Sequence, residues 1–227
     1  MKRQLCLLGA AALIPMGAMA AESSSDLSYT YFEVHHVGLD IDGYKEGSSV
    51  RDRIRDLDNG DGWGLSGSFA VNDSFFVFAD YADTDGDVSY KNNAGLVIPR
   101  SSSAKKLDLG LGWHRALDDA TDLVLSGGYT DLDLGKFRIG NTGHGSVHDL
   151  KDDSSDGYFL GAGVRAQLTS WLEGGLGARY TDFGGGDDNF SGVANLMAEV
   201  TPNIGVNVGV DIGDQLATWT AGLRYSF

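Results

Sequence analysis

The chain has 227 residues and a formal net charge of −15, an acidic balance that disfavours nucleic acid as a partner because phosphates would be repelled. It contains 33 glycines, 3 prolines and a single cysteine. Beyond the first 20 residues no apolar run reaches the roughly 18 residues that a membrane-spanning helix requires, so any membrane crossing must use strands.

The N-terminus has the pattern of a secretory signal peptide. Lys2 and Arg3 form a basic start, residues 5–16 form an apolar run, and Ala18-Met19-Ala20 matches a small-residue cleavage site. We therefore predict a cleaved signal at 1–20 and one mature domain at 21–227. Cleavage removes Cys6, the only thiol, so no disulfide is expected.

Ten later segments alternate apolar and polar residues, which is the pattern of a strand with one apolar face. In the first segment the apolar face is ambiguous. Phe32 and Val34 indicate one face and Glu33 the other, but Tyr29 and Tyr31 fall on the Glu33 side. The predicted strands are 27–39, 62–71, 75–81, 107–113, 123–129, 158–168, 172–180, 194–200, 204–212 and 217–227.

The last strand carries a family resemblance. Its alternation continues through Trp219, Leu223 and Tyr225 to a terminal Phe227. This ending resembles the closing strand of Gram-negative outer-membrane β-barrel proteins. Residues 27–31 and 61–65 also look like small barrels of the porin-like or OmpA-type class. The resemblance implies an outer-membrane location, with Tyr225 and Phe227 as the signal read by the barrel-assembly machinery.

The connections support an all-β fold, a single closed antiparallel up-and-down transmembrane β-barrel. Long polar loops are expected at 40–61, 82–104, 131–156 and, shorter, 182–189, and they alternate with tight turns. Outer-membrane barrels have short periplasmic turns, longer outer loops and an even strand number. Ten strands fit this pattern, with eight as the alternative.

The two strand faces have different expected environments. In a membrane barrel the apolar face meets lipid and the polar face lines the lumen, where charges can pair. A plugged lumen and a narrow channel are both compatible with this pattern. The predicted lumen-facing charged network is Glu33, Asp80, Asp108, Arg165, Glu173, Arg179, Glu199, Asp211 and Arg224.

Aromatic residues concentrate at the two ends of the apolar faces, as in the interfacial girdles of membrane barrels. We expect an outer belt and an inner belt. The predicted girdle is Trp63, Tyr81, Tyr129, Tyr158, Tyr180 and Trp219 on the outer side, and Trp113, Tyr225 and Phe227 on the inner side.

No motif supports catalysis, a cofactor or a dedicated metal site. Residues 62–67 match G-x-G-x-x-G but lie inside a strand with no helix following. The acidic runs at 56–61 and 83–87 lack the Gly and Glu that complete a calcium loop. The Asp and His residues match no motif of the barrel proteases, and no outward Ser has a neighbouring His. We expect a non-enzymatic protein.

Two functions remain open from the sequence. The first is a structural or surface-interaction barrel with acidic outer loops, in contact with outer-membrane lipid and lipopolysaccharide and weakly with divalent cations. The second is a small, non-specific diffusion channel.

Overall fold

The structure is a computed structural model that describes residues 27–41, 54–91, 97–134, 138–139, 148–149, 153–183, 188–214 and 216–227. The predicted signal peptide lies outside these residues. Among the residues described, no helix has the length and apolar character needed to cross a membrane. The strands are β1 Tyr31–Ile41, β2 Ile54–Ala70, β3 Phe75–Lys91, β4 Val97–Asp118, β5 Thr121–Leu134, β6 Arg138–Ile139, β7 His148–Asp149, β8 Asp153–Thr169, β9 Leu172–Asp182, β10 Asp188–Thr201, β11 Ile204–Gly213 and β12 Leu216–Ser226.

Ten of the strands close into one antiparallel barrel. The hydrogen-bonded order is β1-β12-β11-β10-β9-β8-β5-β4-β3-β2, and β2 pairs back onto β1. The short strands β6 and β7 form a separate two-stranded sheet among the described residues. The closure of β1 against β12 runs from Tyr31↔Ser226 to Ile41↔Leu216, so the strands leave no sheet edge there. The prediction of a ten-stranded barrel is confirmed, and the eight-stranded alternative is wrong.

Four tight turns join strands at one end of the barrel, which we call the turn end; the opposite end is the loop end. Each turn has a side chain that accepts a backbone N–H, a common device in turns. Asn72 Oδ1, for example, accepts from the backbone N of Ser74 and of Phe75, each at 2.9 Å. The four accepting residues are Asn72, Asp118, Thr169 and Thr201.

Several strands continue further at the loop end than the hydrophobic pattern indicated. β3 has 17 residues and β4 has 22, whereas a tilted strand crosses a bilayer in about 9–11. The expectation of loops over the whole of 40–61 and 82–104 is wrong, because β2 begins at Ile54, β3 runs to Lys91 and β4 begins at Val97. The extensions lack an apolar face, so period two could not reveal them.

The barrel places its apolar side chains outward and its polar ones inward. Trp63, Leu176 and Val200 are each 67% exposed, although a water-soluble fold would bury them. Inward-facing Asp108 and Glu173 are each only 3% exposed. This inside-out arrangement suits a lipid environment around the outer surface.

The structure shows which residues of β1 face outward, a point that the sequence left ambiguous. Phe32 and Val34 are exposed on the outer face, while Glu33 is buried inside. Tyr29 is also buried, and the Arg224 guanidinium lies 4.0 Å from the ring centroid of Tyr31. The two tyrosines break the apolar-out pattern because they contact charged groups inside the barrel.

Candidate functional site in the barrel lumen and at the loop end

The nine residues of the predicted charged network all lie on inward-facing positions of their strands. Six of them form three ion pairs, each joining an arginine to a carboxylate. Asp80 accepts a hydrogen bond from the Ser66 hydroxyl. Within the described part of the chain, Glu199 and Asp211 have no ion-pair partner. The ion pairs form three clusters, and Ser66, which lies 3.5 Å from His35 Nδ1 and donates to Asp80, links the first of them to Asp80.

The first cluster lies at the seam between β1 and β12. Arg224 Nε donates to Glu33 Oε2 at 2.8 Å, and Asn207 Nδ2 lies 3.0 and 3.2 Å from the two oxygens of the same carboxylate. His35 Nδ1 lies 3.7 Å from Glu33 Oε1. Because Glu33 is 3% exposed, these donors replace the water that its charge would otherwise require.

The second cluster joins strands that are not neighbours. Arg179 Nη1 on β9 donates to Asp108 Oδ2 on β4 at 2.7 Å, so the ion pair spans the lumen past β5 and β8. Thr130 Oγ1 donates to Asp108 Oδ1 at 2.6 Å, and Lys106 Nζ lies 3.3 Å from Oδ2. The Arg179 guanidinium also lies 3.9 Å from the ring centroid of Phe159.

The third cluster surrounds the residues that precede β1. The segment 27–30, which we call the N-terminal segment, enters the lumen at the turn end. Tyr29 stacks on His114 with ring centroids 3.8 Å apart and donates from its hydroxyl to Asp122 Oδ2 at 2.9 Å. Both partners lie on strands three or four positions away from β1 around the barrel.

The N-terminal segment also reaches the opposite wall. Arg165 Nη1 on β8 donates to the carbonyl oxygen of Ser28 at 2.7 Å, and β8 is five strands from β1 in the closed order. Arg165 is held by Glu173, with its Nη2 at 2.5 Å from Oε2. Contacts of the segment therefore reach from the β1 seam, where Ser68 Oγ donates to the Tyr29 carbonyl oxygen, to the opposite wall at β8.

The aromatic residues of the predicted girdle all occupy outward-facing positions. Those nearest the loop end are Trp63, Tyr81, Tyr129, Tyr158, Tyr180 and Trp219. Those nearest the turn end are Trp113, Tyr225 and Phe227, and the Tyr225 and Phe227 rings meet edge to face at 4.8 Å. Trp171, which the sequence analysis did not include, adds an exposed ring in a turn.

Aspartates accompany the tyrosines near the loop end. The hydroxyls of Tyr81 and Tyr129 donate to the aspartates two residues further along, at 3.3 and 3.2 Å, and Tyr158 donates to Asp182 at 2.9 Å. Lys105 Nζ lies 3.4 Å from Asp83, whose carboxylate raises the pKa of the Lys105 ammonium. In the described residues no three potential ligands are grouped to hold a metal ion.

The predicted charged network left out several lumen residues that hold the clusters together, among them Lys106, Asp122 and Asn207. Lys106 and Asp122 each precede the predicted start of a strand by one residue. Continuing the alternation by one position would have placed both in the lumen beside Asp108 and Val124. No sequence signal indicated that Tyr29 would cross the barrel.

The chain was compared with solved structures and with curated proteins. The β domain of the Bordetella autotransporter BrkA is 10% identical, with a TM-score of 0.56 over 87% of this chain and 99% of that one. The translocator domain of the autotransporter NalP from Neisseria meningitidis is 11% identical, with a TM-score of 0.51 over 89% and 90%. The KdgM porin in complex with disordered oligogalacturonate is 14% identical, with a TM-score of 0.47 over 87% and 99%. No curated protein matches.

The likenesses to the BrkA and NalP domains show the fold alone. A family model gives the further assignment, because the model described as outer membrane protein beta-barrel domain matches residues 6–210, most of the chain. The turn end and the loop end are then the periplasmic and extracellular ends of such a barrel. The protein belongs to the outer-membrane β-barrel family.

Proposed function

We propose that this protein is a non-conducting barrel of the outer membrane that serves as a structural or surface-interaction protein through its extracellular end. The observation that carries the proposal is the N-terminal segment, whose Tyr29 hydroxyl and Ser28 carbonyl oxygen contact side chains that reach into the lumen from β5 and β8. A segment in this position obstructs solute movement through the periplasmic end. The proposal includes export by the signal at 1–20 and assigns no enzymatic activity.

Burial inside the lumen supports a closed barrel. Tyr29 is 6% exposed, His114 is 4% exposed and Asp122 is fully buried, although all three point into the barrel. An open water-filled pore would leave such side chains wetted. A ten-stranded barrel is only slightly wider than the eight-stranded kind, whose interior is filled by side chains.

The extracellular end supports the surface role. β3 and β4 remain paired as far as Lys91↔Val97, well beyond the girdle level at Tyr81↔Leu107. A hairpin of this length raises paired backbone above the membrane surface, where it is available to other molecules. Surface-exposed segments on a rigid scaffold are common sites of interaction.

The proposed partners follow from the outer surface. Lipid contacts the apolar face, and the closing strand β12, with Tyr225 and Phe227, is the part recognised by the assembly machinery. The outward aspartates Asp83 and Asp131 accept hydrogen bonds from the girdle tyrosines Tyr81 and Tyr129, and we propose that they face lipopolysaccharide phosphates. We propose that divalent cations bridge these two anionic surfaces weakly.

Liposome swelling tests the closed lumen. Purified protein is reconstituted into liposomes and exposed to isotonic arabinose, with a general porin at equal protein mass as the positive control. We expect no swelling above that of empty liposomes. Swelling at a rate comparable to the porin would establish the diffusion channel instead.

A shortened hairpin tests the surface role separately. Residues 86–102 are replaced by Asn-Gly, which joins Asp85 to Ser103, a pair already facing each other in the sheet. The variant should keep heat-modifiable gel mobility, since its transmembrane part is intact. Cells carrying it should lose any binding to abiotic or cellular surfaces that wild-type cells show over cells lacking the protein. Equal binding by both would count against this role of the hairpin.

A further inference from the structure

A cavity of about 350 Å³ lies in the barrel lumen. Its volume falls within the roughly 300–1,000 Å³ that pockets for small molecules occupy. Part of its wall is apolar and consists of Phe78, Val124 and Val193. These three side chains are half-buried, so each keeps surface that an occupant can touch. Phe78 lies on β3 and Val193 on β10, five strands away in the closed order, so apolar groups face the cavity from opposite sides.

A polar part of the wall lies on the neighbouring strands β10 and β11, at Asn195 and Asp211. Asn195 is directly across from Gly209, and Asp211 is two residues further along β11, so the two side chains are diagonal neighbours on the lumen face. Both residues are half-buried, and neither side chain has a hydrogen bond or an ion pair with another described residue. They therefore offer a carboxylate and an amide oxygen to an occupant of the cavity.

The charges of the wall favour a cation as the occupant. The other charged side chains that line the cavity are Arg165, Arg179 and Arg224, and each forms an ion pair with a carboxylate. Asp211 is the charged group of this wall that no described residue compensates. An anion would meet guanidinium groups that are already neutralised and an uncompensated carboxylate, so the cost of removing it from water would not be recovered. A cation gains the attraction of Asp211 instead.

An organic ammonium fits this wall better than a metal ion does. Calcium requires roughly six to eight oxygen ligands, whereas the described residues contain no group of three side chains that could hold a metal ion. A primary ammonium carries three N–H donors on a compact head, which suits two neighbouring acceptors. Its hydrocarbon part has an apolar surface to cover, since Val193 lies directly across from Asp211 in the sheet.

We propose that this cavity binds a small primary amine with an apolar body, of the size of 2-phenylethylamine. The ammonium group donates to the Asp211 carboxylate and to the amide oxygen of Asn195, and the aromatic ring packs against Val193 and Phe78. This binding site goes beyond the surface role proposed above and does not depend on it.

The test is a ligand titration followed by saturation-transfer NMR on the full-length mature protein refolded in detergent. Because the buried residues Tyr29 and Thr130 lie toward the two ends of the lumen, each probe is present during refolding. The probes are 2-phenylethylamine, its neutral counterpart 2-phenylethanol, the anion phenylacetate, and methylammonium, which lacks an apolar body. We expect a dissociation constant on the order of 1 mM for 2-phenylethylamine, a ligand of about nine non-hydrogen atoms, and at least fivefold weaker binding of the other three.

Three variants locate the binding. Val193→Phe fills the cavity beside Asp211, so the transfer that it retains comes from amine dissolved in the detergent. Asp211→Asn removes the charge and keeps the shape of the side chain. Glu199→Gln is its matched control, because Glu199 also faces the lumen without an ion pair among the described residues but does not line the cavity. We expect at least a tenfold loss of amine affinity in the first two variants and no change in the third.

The outcomes separate the possibilities. Equal transfer to 2-phenylethylamine in the wild type and Val193→Phe overturns the proposal. If 2-phenylethanol or phenylacetate binds as tightly as the amine, or if Asp211→Asn keeps the wild-type affinity, the assignment to a cation is overturned. Methylammonium binding as tight as that of the amine overturns the role of the apolar wall. An equal loss in Glu199→Gln and Asp211→Asn assigns the effect to total lumen charge and overturns the role of Asp211.

Two controls complete the experiment. Heat-modifiable gel mobility of each variant shows that the barrel is folded. A swelling result in favour of a channel would not alter the expected amine binding, so this proposal and the proposed function fail independently.

Discussion

Arg224→Met at the seam of the barrel should remove a large part of the folding stability. In the wild type, Glu33 Oε2 accepts from Arg224 Nε at 2.8 Å, and the two side chains are only 4% and 9% exposed. The substitution leaves the Glu33 charge with the neutral amide of Asn207 and the more distant His35. Removing one member of a buried ion pair typically costs about 3–5 kcal/mol.

The structure accounts for that magnitude in parts. The lost charge-assisted hydrogen bond contributes about 1.5–3 kcal/mol, and the lost contact of the guanidinium with the Tyr31 ring contributes roughly 0.5–2 kcal/mol. The measurement is reversible urea unfolding in phosphatidylcholine vesicles, followed by tryptophan fluorescence and by heat-modifiable gel mobility. A fall of less than about 1 kcal/mol in unfolding free energy would refute the role assigned to the pair.

Two further variants identify the cause. Glu33→Gln combined with Arg224→Met removes both charges, so it should recover part of the stability that the single variant loses. Lys105→Met breaks an ion pair whose side chains are 50% and 44% exposed. Its unfolding free energy should equal that of the wild type within experimental error. If Lys105→Met lost as much stability as Arg224→Met, the effect would belong to total charge and not to burial.

Three other changes have defined expectations. Leu111→Arg, on the lipid face between the two girdles, should lower the unfolding free energy in vesicles by about 2–4 kcal/mol. The control Leu117→Arg, beside a turn, should lower it by only about 0–1 kcal/mol. Equal losses for the two variants would contradict the membrane placement. Deleting Phe227 removes the terminal ring and the backbone N–H that donates to the Thr30 carbonyl oxygen at 3.1 Å. The amount of heat-modifiable, surface-exposed protein in cells should therefore decrease. A normal amount would count against the assembly signal. Gly128→Ala brings a methyl group onto the β4 backbone and should lower the unfolding free energy measured in urea titrations. In Gly192→Ala the new methyl group meets no atom within 4 Å, so the unfolding free energy should hardly change. The reverse order would refute the packing argument.

The membrane-spanning part of this barrel was predictable because one physical constraint acts on every second residue. Lipid admits only apolar side chains, so positions such as Leu109 and Leu111 record which face is outside. The short turns were predictable for a related reason, since Asn72 and Asp118 are residues that cap turns with their own side chains.

The rest depends on contacts that sequence spacing does not contain. Beyond Tyr81 the outward positions of β3 are polar, as at Asp83 and Asp85, so backbone pairing extends the strand without leaving an apolar periodic pattern. Arg179 and Asp108 are 71 residues apart and meet only because closure brings β9 opposite β4. The first strand was ambiguous because Tyr29 and Tyr31 are inward aromatics, and their partners lie on other strands.

The N-terminal segment also has a mechanical consequence for the barrel. A closed sheet resists stretching around its circumference through its hydrogen bonds, but its cross-section can still flatten into an oval at little cost. Arg165 and Asp122 fasten the start of β1 to the far wall, so the periplasmic rim behaves as a ring with a strut across its diameter. Lateral pressure from the surrounding bilayer then loads the strut and the seam together, while the Arg179–Asp108 ion pair holds β9 against β4 nearer the extracellular end.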